Sequence, residues 1–90
     1  MITDQEMLDA FVAEFPEAYM VNSVAGAGLY EEVWPWLFDL TDKMRPAISD
    51  ELRQKTIDFF VNSDEEYYDW YLDEVRTHLA KLPRKETSAV

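Results

Sequence analysis

The chain has no cysteine, two glycines, a single histidine, and no lysine or arginine before Lys43. Without cysteine there is no disulfide and no thiolate metal site, and nothing implies an oxidising compartment. One histidine cannot supply the pair of Glu-x-x-His motifs that a carboxylate-bridged dimetal centre needs. The glycines lie in Ala25-Gly26-Ala27-Gly28. They are too few for a dinucleotide fingerprint, no strand precedes them, and no Lys-Ser or Lys-Thr follows, so they read as a helix end and turn. No apolar run approaches the roughly 20 residues that cross a bilayer. The opening MITDQEM lacks the basic and apolar regions of a secretory signal, so cytoplasmic residence is expected. β-branched residues are sparse, no long stretch alternates apolar and polar, and no repeat or low-complexity segment is present.

What remains is an acidic chain with ample apolar content. Of its 90 residues 48% are hydrophobic, enough for a globular fold with one modest core. The formal charge of −11 is the outlying property. It argues against direct binding to nucleic acid or to an anionic membrane, whose phosphates are held by Lys and Arg. It suits a basic protein partner or a chain that imitates nucleic-acid charge, and it also serves plain solubility.

Apolar spacing predicts an all-α bundle of four to five short helices with antiparallel neighbours. The first covers Ile2 to Phe15, opened by a capping box between Thr3 and Glu6 with Ile2 stapled against Met7. Met7, Leu8, Phe11, Val12 and Phe15 form its buried stripe and leave Asp4, Asp9 and Glu14 in water. Pro16 ends it and can start a short second helix over Glu17 to Val24, with Tyr19, Met20 and Val24 as core candidates. The third pattern, Leu29 to Met44, runs through Pro35, and a break at Trp34-Pro35 is expected there. Its stripe is Leu29, Val33, Trp36, Leu37, Leu40 and Met44, and Trp34, Trp36 and Phe38 supply the rings expected at the core's centre. Ser49 caps a fourth helix with Leu52, Thr56, Phe59, Phe60 and Ser63 along one side, flanked by Ile57 and Val61. Residues 1–83 are read as one helical domain and 84–90 as a flexible tail.

Ser63 to Leu79, SDEEYYDWYLDEVRTHL, is the most informative stretch, with six carboxylates and four aromatic rings in one predicted helix. Ser63 and Glu66 have capping-box spacing. Tyr68, Tyr71, Leu72, Val75 and Leu79 make the inward stripe, while Asp64, Glu65, Glu66, Asp69 and Asp73 lie away from it with Tyr67 and Trp70 alongside. Acids in the first turn suit the helix dipole. Asp69 and Asp73 are different, because like charges four apart cost roughly 0.2–0.5 kcal/mol. Either they are solvated surface, or they and the two rings form a docking patch for a basic partner.

The catalytic inventory is thin. A Ser-His-Asp triad would have to recruit Ser23 and His78 without a nucleophile elbow. Glu74 and His78 are four apart and can face one ligand, yet His78 reads better as a solvent-facing partner of the helix dipole. Paired carboxylates abound, but a helical domain of this size offers little cleft in which to raise a carboxyl pKa. No enzymatic activity, cofactor or metal site is expected.

Glu14-Phe15-Pro16-Glu17 and Trp34-Pro35-Trp36-Leu37-Phe38-Asp39-Leu40-Thr41 resemble segments of small acidic bacterial domains in which an aromatic-Pro-Glu step precedes a Pro-x-Leu-Phe segment. Size, charge, helical content and the pair Tyr67-Tyr68 amid acids resemble the four-helix immunity proteins that neutralise nuclease bacteriocins. In those proteins the acidic tyrosine-bearing helix is a short third one, whereas here it is long and C-terminal. The resemblance implies a stoichiometric inhibitor of a basic toxin or nuclease, monomeric or weakly dimeric, binding through Asp64, Glu65, Glu66, Tyr67, Asp69, Trp70 and Asp73. A phage-borne DNA mimic would need carboxylates over a longer face that includes Asp4, Asp9 and Glu14. A self-associating adaptor would use Trp34 or Trp70.

Overall fold

A computed structural model describes residues 2–85. Five α-helices follow in order: α1 (Asp4–Glu14), α2 (Asn22–Gly26), α3 (Tyr30–Met44), α4 (Asp50–Val61) and α5 (Glu66–Ala80), with a 3-10 segment, Pro16–Val21, joining α1 to α2. Among the described residues there is no strand, only an isolated parallel bridge between Ile48 and Arg84. The expected all-α bundle is what forms.

Helix α1 starts where the capping box puts it. The Thr3 hydroxyl accepts from the Glu6 amide at 3.1 Å, and the Glu6 carboxylate accepts from the Thr3 amide at 3.1 Å. After Phe15 the chain tightens into the 3-10 segment with Pro16 at its start. Three residues per turn then set the burial: Phe15, Ala18, Val21 and Val24 face inward. That period turns Tyr19 and Met20 outward, 70% and 63% exposed, against the expectation from α-helical spacing that both are core.

The expected break at Trp34-Pro35 is absent, and Pro35 sits inside a continuous α3. Trp34 and Phe38 are fully buried, as are Val33, Leu37 and Thr41. Trp36 is two residues from Trp34 and from Phe38, about 200° round the cylinder at about 100° per residue. With both of those rings inward it has to point out, and it is 58% exposed rather than central to the core. Leu29, which precedes the helix, and Met44, its last residue, are exposed as well. Arg45 closes α3 in a left-handed conformation, φ 50°, held by bonds from its guanidinium to the Asp42 and Lys81 carbonyls.

Glu14, expected in water, is a joint between helices: its carboxylate accepts from the Ser49 amide at 2.7 Å and the Ser49 hydroxyl at 2.6 Å. Ser49 in turn caps α4 by accepting from the Leu52 amide at 3.0 Å. Arg53, one turn into α4, donates to the carbonyls of Leu79 and Leu82 and so ties α4 to the last turn of α5 and the residues just after it. These contacts run α4 antiparallel to α1 and to α5, and they leave α3 and α5 side by side in the same direction, with Glu31 near Tyr67 and Asp42 near His78. Beyond α5, Arg84 pairs with Asp50, and the Lys85 amide donates to the Ile48 carbonyl at 2.9 Å. The first two residues of the expected tail are therefore engaged, and residues 86–90 lie outside the described ones.

Aromatic rings from four helices fill the centre. Trp34 lies 5.0 Å from Phe60, 5.6 Å from Phe59 and 6.2 Å from Phe38, and Phe38 meets Phe11 edge-on at 6.4 Å. A buried indole N–H needs an acceptor. Asp4 provides it at 3.0 Å and also accepts from the Tyr68 hydroxyl. Asp4 is thus half-buried and internally engaged, where amphipathic spacing alone leaves it in water. No buried side-chain nitrogen or oxygen among the described residues lacks a partner. Asp4→Ala strands the indole donor and is expected to lower stability by about 1–3 kcal/mol, read from urea denaturation, with Asp4→Asn recovering part of the loss.

Candidate functional site

Helix α5 begins three residues after Ser63. The Ser63 hydroxyl accepts from the Glu65 amide at 3.1 Å, closing a local turn, so the expected capping box with Glu66 does not form. Glu65 is the N-cap and makes no side-chain capping bond.

Buried Tyr68, Tyr71, Val75 and Leu79 fix the phase of α5. At about 100° per residue, Glu66, Asp69, Trp70 and Asp73 fall within an arc of roughly 100° on the opposite side. All four are exposed, as are Asp64 and Glu65 in the preceding turn. Trp70 is 74% exposed, the most of any large hydrophobic side chain among the described residues. None of Asp64, Glu65, Glu66, Asp69 and Asp73 forms an ion pair among the described residues. Six of the seven sequence-predicted site residues thus share one continuous acidic surface.

Tyr67 differs. It is half-buried, stacked on Tyr71 at 5.6 Å and 14°, and 6.1 Å from Trp70. Its hydroxyl donates to the Glu31 carbonyl at 3.3 Å. In a regular helix that carbonyl would accept from residue 35, but proline has no N–H. Tyr67 therefore occupies the acceptor that Pro35 frees, and the ring acts as a buttress beneath Trp70. Burial, with Glu31 and Glu32 adding to it, raises the Tyr67 pKa. Burial, then Tyr67, Glu74 and Asp42, pushes Tyr71 up to about 12. Tyr68 is raised as well, by burial and by its bond to Asp4.

Other candidates are accounted for elsewhere. Of the carboxylates that a long mimicking face would need, Asp4 and Glu14 are bound internally and only Asp9 is exposed. Trp34 is fully buried and unable to mediate self-association. His78 is not solvent-facing: it lies flat on Phe38, 5.0 Å away at 2°, with Nδ1 3.1 Å from Asp42, because α3 runs alongside α5 at that face. Ser23 spends its hydroxyl on the Met20 carbonyl, and no hydrogen bond joins it to His78 among the described residues. Glu74 comes only within 4.0 Å of His78, and no cluster of metal-binding side chains occurs among the described residues. Among the described residues, no helix is long and apolar enough to cross a membrane. Sequence reasoning missed a groove beside the α4–α5 turn, whose one legible signal was the adjacent pair Phe59-Phe60, too wide for both rings to be wholly interior. Comparison with family models, curated proteins and solved structures returns no match.

Tyr67→Phe is expected to cost about 0.5–1.5 kcal/mol in the natural background and markedly less alongside Pro35→Ala, which restores an amide to the Glu31 carbonyl; a double-mutant cycle by chemical denaturation measures the coupling. Because the three phenols are raised in the folded state, the stability they contribute is complete below the unfolded value of about 10. It is lost as pH rises from there through about 12, as the unfolded chain releases phenolic protons first. Denaturation midpoints across that window should fall, in step with tyrosinate absorbance.

Proposed function

We propose that this chain is a stoichiometric binding protein whose acidic α5 face docks a basic protein, in the manner of an immunity protein or antitoxin that blocks a nuclease-type toxin in the cytoplasm. The observation that carries the reading is Trp70, 74% exposed and flanked by Glu66, Asp69 and Asp73, to which no cation is paired among the described residues. Trp70 differs from the exposed Trp36 in standing among unpaired acids, and Trp is enriched among the residues that anchor interfaces. Lysine and arginine are the side chains that complement it twice over, by cation–π contact with the ring and by charge with Glu66, Asp69 and Asp73.

Trp70 is the anchor, and Tyr67 holds it in place from below. Asp64, Glu65, Glu66, Asp69 and Asp73 steer encounter and pair with the partner's cations, which makes association fast and sensitive to salt. The reading is one of binding and not of catalysis: the single histidine is packed against Phe38 and bonded to Asp42, and the hydroxyls of Ser23, Ser49, Thr41 and Thr56 are spent on helix carbonyls or on Glu14. Of the carboxylates a longer DNA-like face would use, Asp4 and Glu14 are engaged internally, and of the two rings a self-associating adaptor would use, Trp34 is buried and Trp70 is exposed.

Asp69→Lys with Asp73→Lys is expected to leave helicity unchanged, since both side chains are exposed, and to weaken the complex with the basic partner by about 2–5 kcal/mol where these acids meet cations across a desolvated contact. Isothermal titration with the purified partner measures it, and unchanged affinity would place the interface elsewhere on the molecule.

A further inference from the structure

The α5 face adjoins a groove of about 960 Å³ between the start of α1, the outer side of α4 and the α4–α5 turn. Its floor is apolar, made by Ile2, Phe59 and the ring of Tyr68. Ile2 and Phe59 are only partly buried, packed against the core on one side and open to the groove on the other. The rim carries Glu51, Asp58, Asp64 and Glu65 against a single cation, Lys55, and none of these five side chains is in an ion pair among the described residues. The volume is at the upper end of the roughly 300–1,000 Å³ typical of clefts that bury a drug-sized ligand, so it has room for several side chains.

Apolar floor and acidic rim together select the occupant. Nucleic acid and anionic lipid carry the wrong charge. A second copy of a chain with net charge −11 is repelled. Residues 86–90 of this chain bring Glu86 and no cation. We propose that the groove receives a basic amphipathic segment of the protein partner, with Leu- or Phe-like side chains seated on Ile2, Phe59 and Tyr68 and flanking Lys or Arg on Glu51, Asp58, Asp64 and Glu65. This is the arrangement by which an amphipathic helix enters a hydrophobic groove. It deepens the docking function proposed above, since Asp64 and Glu65 border both the groove and the α5 face and make one surface continuous over the turn.

The test uses the full chain, isotope-labelled, and a synthetic amphipathic Leu/Lys peptide, with a control peptide in which every Leu is Ser at the same charge. The expected result is saturable movement of the Thr3, Gln54, Lys55 and Asn62 amide resonances with the Leu/Lys peptide. Binding should weaken at least about tenfold for the Ser peptide and for Glu51→Lys with Asp58→Lys, both exposed positions. Equal binding of the two peptides would reduce the contact to bulk charge attraction and overturn the groove proposal. So would the absence of binding by either peptide. Movement confined to Asp69, Asp73 and the Trp70 indole would overturn the groove proposal while leaving the α5 face as the docking site.

Discussion

The carboxylate of Asp4 accepts from the indole of Trp34, 30 residues on, and from the hydroxyl of Tyr68, 64 residues on. It sits in the first turn of α1, where negative charge also suits the helix dipole. Through those two bonds one exposed-looking acid fixes the rotation of α3 and of α5 relative to α1. Trp34 is fully buried, so its N–H must be satisfied, and an orientation that failed to bring it to Asp4 would carry the cost of an unpaired donor in the centre of the core. Around that indole the rings of Phe38, Phe59 and Phe60 take their places.

The outer surface follows from the same constraint. With Trp34 inward, Trp36 has to face solvent, and with Tyr68 inward, so does Trp70. The two pairs obey one rule, since residues two apart on a helix diverge by about 200°. The second buttress is Pro35, whose missing N–H leaves a carbonyl for Tyr67 and so ties α5 to α3 at the level of Trp70. The acidic aromatic face is therefore presented by a rigid helix locked at both ends, by Tyr67 and Tyr68 at the start and by Arg53 on the terminal carbonyls. Sites held in this way lose little conformational freedom on binding.

Much of this was legible in the residues alone. The stripes of α1 and α5 and the inward residues Leu52, Thr56 and Phe60 of α4 have the three-and-four spacing that a helix buries, and Pro16, Pro46 and Pro83 mark where helices have ended. The exposure of Glu66, Asp69, Trp70 and Asp73 also follows once the inward stripe of α5 is known. What local spacing could not show is tertiary. Tyr19 and Met20 face out because Pro16–Val21 winds with three residues per turn, and nothing in the residues distinguishes that from the α-helix expected there. Pro35 reads as a break until a hydroxyl 32 residues away is found to occupy the freed carbonyl. Asp4 and Glu14 look like the other surface acids, and only their long-range partners separate the carboxylates that hold the fold from those left free on α5.

In the proposed function, the free carboxylates and Trp70 dock a basic protein. The most direct test is capture by the immobilised protein from a lysate of the source organism at low and at high salt, with mass spectrometry of what elutes. The expected result is one basic protein, retained at low salt and released or weakened at high salt, as charge-steered association requires. No specific partner at either salt, or a partner held without regard to salt, would contradict that function and leave the acidic helix as solvated surface.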